Sequence, residues 1–210
     1  MIKILIADDH PIIRHGLKQI ISEEDDMKVS GEAESGGKIF ELLKKNQYDI
    51  LILDISLPDI NGLEVLGKLK RSNPDLPVLI LSAHSEEQYA LRAIQAGAMG
   101  YLNKITATEQ LVNAIRKIIS GGYYTSDTLS DRLLSVLKGN KKSIRHEDLS
   151  PREFEIMRRI ASGDTVKEIA DKLFLSIPTV YTYRTRIYDK MKMKSDNEII
   201  QYCIIEGLVL

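Results

Sequence analysis

Residues 4–11 read ILIADDHP, in which Ile4-Leu5-Ile6-Ala7 runs straight into the adjacent carboxylates of Asp8 and Asp9. A short apolar run that ends abruptly in polar residues describes a strand buried on both faces, as in a parallel sheet. Neighbouring like charges disfavour each other's ionised form, and a plain strand–loop junction has no use for them. The pair asks for something positive at the carboxyl end of a first strand.

The same grammar repeats outward. Apolar runs at Ile2–Ala7, Lys28–Ala33, Ile50–Asp54, Val78–Ser82 and Gly100–Leu102 predict five buried parallel strands. Helical spacing fills the intervals: Ile12, Ile13, Leu17, Ile20 and Ile21; Ile39, Phe40, Leu42 and Leu43; Leu63, Val65, Leu66 and Leu69; Tyr89, Leu91, Ala93 and Ile94; Leu111, Val112, Ile115, Ile118 and Ile119. Five strand–helix pairs mean a doubly wound α/β sheet with right-handed crossovers. Ligands of such sheets bind outside the carboxyl ends of the strands, near the switch point.

The totals bound the rest. A length of 210 residues allows one or two domains, and 43% hydrophobic with 28% charged residues describes an ordinary globular chain. No apolar run is long enough to span a membrane, and MIKILIADDHP meets acid too early for a signal peptide. The single cysteine, Cys203, excludes an internal disulfide framework and a multi-cysteine zinc site. It sits in the apolar run IIQYCIIEGLVL and reads as a core thiol, consistent with a reducing, cytoplasmic location. The net charge of −1 hides an asymmetry: residues 177–194 hold five basic residues against one acid, so one short segment is locally basic.

From about Leu149 the strand pattern stops. Three capping boxes are legible, Ser150-Pro-Arg-Glu153, Thr165-Val-Lys-Glu168 and Ser195-Asp-Asn-Glu198, and Ser176 is a further N-cap candidate. Pro151 suits a first helical position, and Gly207 suits a left-handed helix end. Four short helices follow. A helix over Ser126–Lys138 and a polar linker over Gly139–Asp148 separate the halves. The expected boundaries are 1–122, 123–148 and 149–210.

With strand order 2-1-3-4-5, strands 1 and 3 are neighbours, and Asp8, Asp9 and Asp54 converge at one edge. A hard divalent cation such as magnesium resolves three carboxylates in one place. Ser82 closes strand 4 and Lys104 follows strand 5. A hydroxyl and an ammonium beside a metal and a carboxylate suit a phosphoryl group, with the carboxylate as nucleophile.

These residues resemble the receiver domain of two-component response regulators. The segment DISLPDINGLE (Asp54–Glu64) is similar to the phosphoacceptor loop, with Pro58 and Gly62 at the usual offsets, and LSAH and AGAMGYLNK also match. The resemblance implies a CheY-like five-stranded receiver over about 1–122. It implies that Asp54 accepts phosphate from a partner histidine kinase. It places magnesium on Asp9, Asp54 and the backbone carbonyl of Ser56, with Asp8 assisting. Ser82 and Tyr101 would form the switch pair, and His10 and His84 would stand near the rim. Many receivers carry proline after the lysine, where this chain has Ile105.

Thr165–Leu173, Phe174–Ser176 and Ile177–Met191 read as helix–turn–helix. The second helix has an apolar stripe of Val180, Ile187 and Met191, while Thr179, Tyr181, Thr182, Thr185, Arg186 and Lys190 occupy the other face. Hydroxyls and cations on one surface suit a negatively charged groove. The segment from Leu149 onward is similar to the DNA-binding domain of the NarL/FixJ (LuxR-type) regulators, most specifically in KEIADKLFLS and the following Thr179-Val180. That resemblance makes Ile177–Met191 the recognition helix. Tyr181, Thr182 and Thr185 would face base edges, and Lys167, Thr179, Arg184, Arg186 and Lys190 would face phosphates. Ala170, Leu173, Val180 and Ile187 read as core. Ile177-Pro178 stands where the family usually has polar residues.

The whole reads as a phosphorylation-controlled transcription regulator, not an enzyme beyond slow autodephosphorylation. Its expected partners are a histidine kinase, double-stranded promoter DNA and a second copy when active, with RNA polymerase a further one and no membrane. Three rivals stand beside it. A magnesium-dependent aspartyl phosphatase usually needs an acid two residues after the nucleophile, where this chain has Ser56. A regulator with a vestigial pocket would not need the five-residue set. A nucleotide binder would need a Gly-rich loop after strand 1.

Overall fold

The computed structural model describes residues 1–84, 86–126, 129 and 145–209. The chain divides into two compact units, Met1–Gly139 and Asn140–Leu210. The helix expected over 126–138 and the linker over 139–144 lie largely outside the described residues.

The first unit alternates β1 (Ile2–Ala7), α1 (Pro11–Ser22), β2 (Met27–Ala33), α2 (Gly36–Lys45), β3 (Ile50–Leu53), α3 (Gly62–Ser72), β4 (Val78–Ser82), α4 (Glu86–Gln95), β5 (Gly100–Asn103) and α5 (Ala107–Ile119). All pairings are parallel, in the order β2-β1-β3-β4-β5. Every residue of β3 and β4 is buried, which is what a central strand covered on both faces requires. β2 differs from the expectation of a buried strand. It forms one edge, and its middle residues alternate between exposed and half-buried. One core gathers Ile4, Ile6, Ile50, Ile52, Leu79 and Leu81 of the sheet with residues of α1 and α5. Leu5, Leu51, Leu53 and Ile80 point to the opposite face by strand alternation and are equally buried. Ile12, expected in the apolar stripe of α1, is 85% exposed, because it lies in the first turn on the outer side of the helix.

The register sets the functional edge. Ala7 pairs with Leu53, so the residues that follow, Asp8 and Asp54, emerge side by side. Ser82 pairs with Asn103, which sets Lys104 beside the end of β4, and the Lys104 N–H donates to the Ser82 carbonyl at 2.9 Å.

The second unit opens with a 3-10 turn at Arg145–Asp148, followed by α6 (Pro151–Ala161), α7 (Val166–Lys172), α8 (Ile177–Met191) and α9 (Asp196–Ile205). The turn corrects the expectation of linker through Asp148. His146 is buried there, its Nδ1 lies 2.7 Å from the Tyr202 hydroxyl, and its ring stacks on Phe154. The boxes at Ser150 and Thr165 are complete. The third is half a box: Ser195 caps α9, but Glu198 accepts from the Lys194 N–H instead of the cap residue. Gly207 ends α9 with φ of 64°, and the Leu208 N–H bonds back to the Cys203 carbonyl at 2.8 Å. Cys203 is fully buried, and burial pushes its thiol up to about 11. Phe154, Met157, Ile169, Val180, Ile187, Met191 and Ile199 complete the core. Among the described residues no helix is long and apolar enough to cross a membrane.

Candidate functional site

At the sheet edge one ligand atom each from Asp8, Asp9, His10 and Asp54 lies within 4.8 Å of the others. Asp8 and Asp54 are 1% and 2% exposed, whereas Asp9 is half-buried. The Lys104 ammonium donates to Asp54 Oδ2 at 2.7 Å and pairs with Asp8 Oδ2 at 2.6 Å. The other Asp54 oxygen, Oδ1, is buried without a hydrogen-bond partner. One ammonium thus faces two buried carboxylates. Burial pushes the Asp54 carboxyl above its ordinary value, against the pull of Lys104 and with the help of Asp8. Burial alone would lower Lys104, but Asp54 and Asp8 outweigh it, and its pKa rises.

The loop after Asp54 is fixed by backbone geometry. The Gly62 N–H donates to the Ile55 carbonyl at 2.7 Å, and a Cβ on Gly62 would run into the carbonyl oxygen of Asp54. Asp59 accepts from the Gly36 and Gly37 N–H groups at 2.7 and 2.8 Å and so ties the loop to the start of α2. Sequence reading missed this clamp. The Gly36-Gly37 pair was its only trace, and its partner lies over twenty residues away.

Ser82 is fully buried at the end of β4, and its hydroxyl accepts from the His84 N–H at 3.2 Å. Tyr101 is 3% exposed, and its hydroxyl donates to the His84 carbonyl at 2.9 Å. Asn103 donates to the same carbonyl at 3.2 Å, a contact no sequence pattern announced. The His84 ring stacks on Tyr89 at 4.6 Å and reaches Ser56 Oγ at 3.5 Å. His10 stands at the rim, its Nδ1 2.7 Å from Asp9 and 3.2 Å from Asp8. No described peptide bond is cis, that after Lys104 included.

The donor set fits a hard divalent cation: three carboxylates converge, each with one buried oxygen that makes no hydrogen bond, and while Asp8 Oδ2 is ion-paired with Lys104 and Asp9 Oδ1 with His10, Asp54 Oδ1 has no such pairing. A carboxylate oxygen without a partner, beside an ammonium and near a strand-end hydroxyl, is also a nucleophile placed for phosphoryl chemistry.

In the second unit Val180, Ile187 and Met191 of α8 are buried, and the opposite surface carries Tyr181, Thr182, Thr185 and Arg186 in the open. Ser176 caps α8 through the Thr179 N–H, and Ser176 and Thr179 share a 2.7 Å hydroxyl contact. Thr182 and Thr185 donate to the carbonyls one turn back, at 3.0 and 3.1 Å, which fixes their rotamers and turns their methyls and lone pairs outward. Arg186 lies over the Tyr183 ring at 5.8 Å, and Lys167 is exposed on α7. Arg184 and Lys190, expected at phosphates, are both ion-paired within the unit. Arg184 lies 2.8 Å from Asp196, and Lys190 lies 2.7 Å from the buried Glu153. The turn before α8 is a Schellman end with Phe174 in the left-handed position, φ 52°, and 75% exposed.

Comparison with known proteins agrees with this geometry. Residues 4–116 match the response regulator receiver domain, and residues 147–203 match the bacterial regulatory proteins of the luxR family. The chain is 37% identical over 209 residues to the response regulator UvrY of Escherichia coli K12, covering 99% of this chain and 96% of that protein. RcsB from Salmonella enterica serovar Typhimurium, solved bound to promoter P1flhDC with the phosphomimetic BeF3−, superposes with a TM-score of 0.67 at 26% identity, covering 96% and 97% of the two chains. A structure of two RcsB dimers bound to two parallel DNAs gives a TM-score of 0.60 at 27% identity, again covering 96% and 97%. The chain belongs to the two-component response regulators of the NarL/FixJ family, a receiver domain joined to a luxR-type DNA-binding domain.

Proposed function

We propose that this protein is a transcription regulator switched by phosphorylation of Asp54. The observation that carries the proposal is Asp54 Oδ1, a buried carboxylate oxygen without a hydrogen-bond partner in a pocket already holding Lys104. That oxygen attacks the phosphorus of a kinase phosphohistidine. The P–N bond breaks, the imidazole leaves with its electron pair, and an acyl phosphate forms on Asp54. Asp8, Asp9, Asp54 and the Ser56 backbone carbonyl are the groups that would hold magnesium, which would supply charge for the phosphoryl oxygens. Lys104 exchanges its carboxylate contact for a phosphoryl oxygen, and the Ser82 hydroxyl turns from the His84 N–H towards another. The His84 backbone then shifts, and Tyr101, which holds its carbonyl, follows. Loss of the phosphoryl group is slow, since no acid stands two residues past Asp54.

The receiver runs over 1–122, and the DNA-binding domain begins with the turn at Arg145–Asp148 and continues to 210, with the linker between them. The phosphorylated form acts in the cytoplasm, where it dimerises and binds double-stranded promoter DNA; the DNA-bound RcsB neighbours support the dimer and the DNA binding. Tyr181, Thr182 and Thr185 face base edges. Lys167, Thr179 and Arg186 meet phosphates, while Arg184 and Lys190 reach them only by leaving Asp196 and Glu153. RNA polymerase is a further partner.

The test combines magnesium with a small acyl phosphate and follows intact mass, solution mass and promoter binding. Wild type should gain one labile phosphoryl group, dimerise and bind DNA more tightly, and Asp54→Asn should do none of these. Uptake by the variant, or DNA binding indifferent to phosphorylation in wild type, would refute the switch.

A further inference from the structure

The first turn of α8 carries an apolar surface that the response-regulator reading leaves without a task. Ile177 is 45% exposed, and Tyr181, one turn later, is 52% exposed. Pro178 lies beside them, also exposed. Residues four apart share a helix face, so Ile177, Tyr181 and Thr185 form one row, and Pro178 and Thr182 form the next. The row begins apolar and becomes polar without a break. Ile177 takes no part in the core, which α8 reaches through Val180, Ile187 and Met191. An isoleucine at N1 of a capped helix, half in water, leaves apolar area that a partner surface would gain by covering.

The neighbouring residues say what that surface is. Exposed cations, Lys167 and Arg186, accompany this row, and the only acid within α8 is Asp189, near the far end. A recognition helix enters the major groove by its N-terminal residues. Within that groove almost every base edge is a hydrogen-bond donor or acceptor, and the thymine C5-methyl is the apolar exception. Ile177 offers no hydrogen bond, and Pro178 offers no N–H, so neither can read or tolerate a polar edge at close range.

We infer that Ile177, with the Tyr181 ring as its neighbour, is a specificity determinant that reads thymine methyl groups facing the first turn of α8. The inference rests on the DNA-binding reading above. The preferred half-site therefore carries thymine at one or two fixed positions, set by van der Waals contact and not by hydrogen bonding.

The test starts from duplexes enriched out of a randomised double-stranded DNA pool by the full-length phosphorylated protein. Each thymine is then replaced singly by deoxyuridine, which removes the methyl and keeps the base pair. At one or two positions per half-site wild type should lose about fourfold in affinity, the worth of one buried methyl-sized group. Ile177→Ser should bind the thymine and uracil duplexes equally, and Ile177→Val should keep a reduced preference. Both variants should keep the wild-type melting temperature and non-specific affinity. Uracil without effect at every position in wild type would overturn the inference. So would an Ile177→Ser variant with the full wild-type methyl dependence. Failure of wild type to enrich any duplex would instead overturn the DNA-binding reading, and the inference with it.

Discussion

Lys104 Nζ lies 2.7 Å from Asp54 Oδ2 and shares its single charge with Asp8, so the pocket holds two buried carboxylates for one ammonium. Removing the ammonium leaves both acids uncompensated. Lys104→Met should destabilise the receiver by about 3 kcal/mol at neutral pH, the usual cost of breaking a buried pair from one side. The sign with pH follows from Asp54. Its carboxyl is raised by burial above its ordinary value of 3.8, so the folded pocket binds a proton more readily than the unfolded chain. Its contribution is most favourable below 3.8 and declines as pH rises through the folded value. The deficit of Lys104→Met should therefore shrink in acid, and magnesium should restore part of it. Urea denaturation across pH, with and without magnesium, checks this, and a variant as stable as wild type at pH 7 would contradict it.

Glu153 runs the other way. It is 3% exposed, and burial alone would raise its carboxyl, but the Lys190 ammonium and the Ser150 N–H outweigh burial and lower it. A depressed acid contributes stability that is present above its unfolded value near 4.5 and disappears as pH falls through the folded value. A 145–210 fragment, which holds every described element of the second compact unit, should lose stability below about pH 4.5. Glu153→Gln, which keeps a capping oxygen but gives up the charge, should flatten that loss and cost about 1 kcal/mol at pH 7. Thermal unfolding followed by circular dichroism from pH 3 to 7 separates the two.

Much of this was legible because the signals are local. ILIADDHP ends β1 where its hydropathy says, and its two acids need only one neighbouring strand to meet Asp54. The Ser150 and Thr165 boxes are confined to four residues each and form as read. What was missed depends on distance or on position in the sheet. β2 has the residues of a strand, but only the strand order makes it an edge. The Asp59 clamp on Gly36 and Gly37 joins two loops. The polar text around His146 gives no hint that its ring plugs against Phe154 and Tyr202. The half box at Ser195 shows the limit of a motif even when it is local, since Glu198 has a competing N–H at Lys194.

Two helices end on residues that dislike their conformation. Phe174 and Lys192 have φ of 52° and 56°, in the left-handed region that costs a side-chain-bearing residue about 1–2 kcal/mol. Both side chains are exposed, so trimming them removes no packing. Phe174→Gly and Lys192→Gly should each stabilise the second unit by about 0.5–1 kcal/mol, after allowing for the extra freedom glycine brings to the unfolded chain. The same substitutions to alanine should give less, because alanine keeps the Cβ. Chemical denaturation of the 145–210 fragment measures both series, and glycine variants no better than alanine would remove strain as the explanation.

The cations of the second unit fall into two classes that salt can distinguish. Lys167 and Arg186 are exposed, whereas Lys190 is paired with Glu153 and Arg184 with Asp196. A cation that neutralises a phosphate releases a counterion, and each such contact adds about 0.9 to the slope of log affinity against log salt. Lys167→Ala and Arg186→Ala should each reduce the slope by about that amount per bound chain and weaken all sequences alike. Lys190→Met should leave the slope unchanged and lower the melting temperature instead, since the charge it removes balances a buried glutamate. Binding isotherms between about 50 and 200 mM salt, paired with melting curves, assign each residue. A slope lowered by Lys190→Met would mean that its ammonium leaves Glu153 for DNA in the complex.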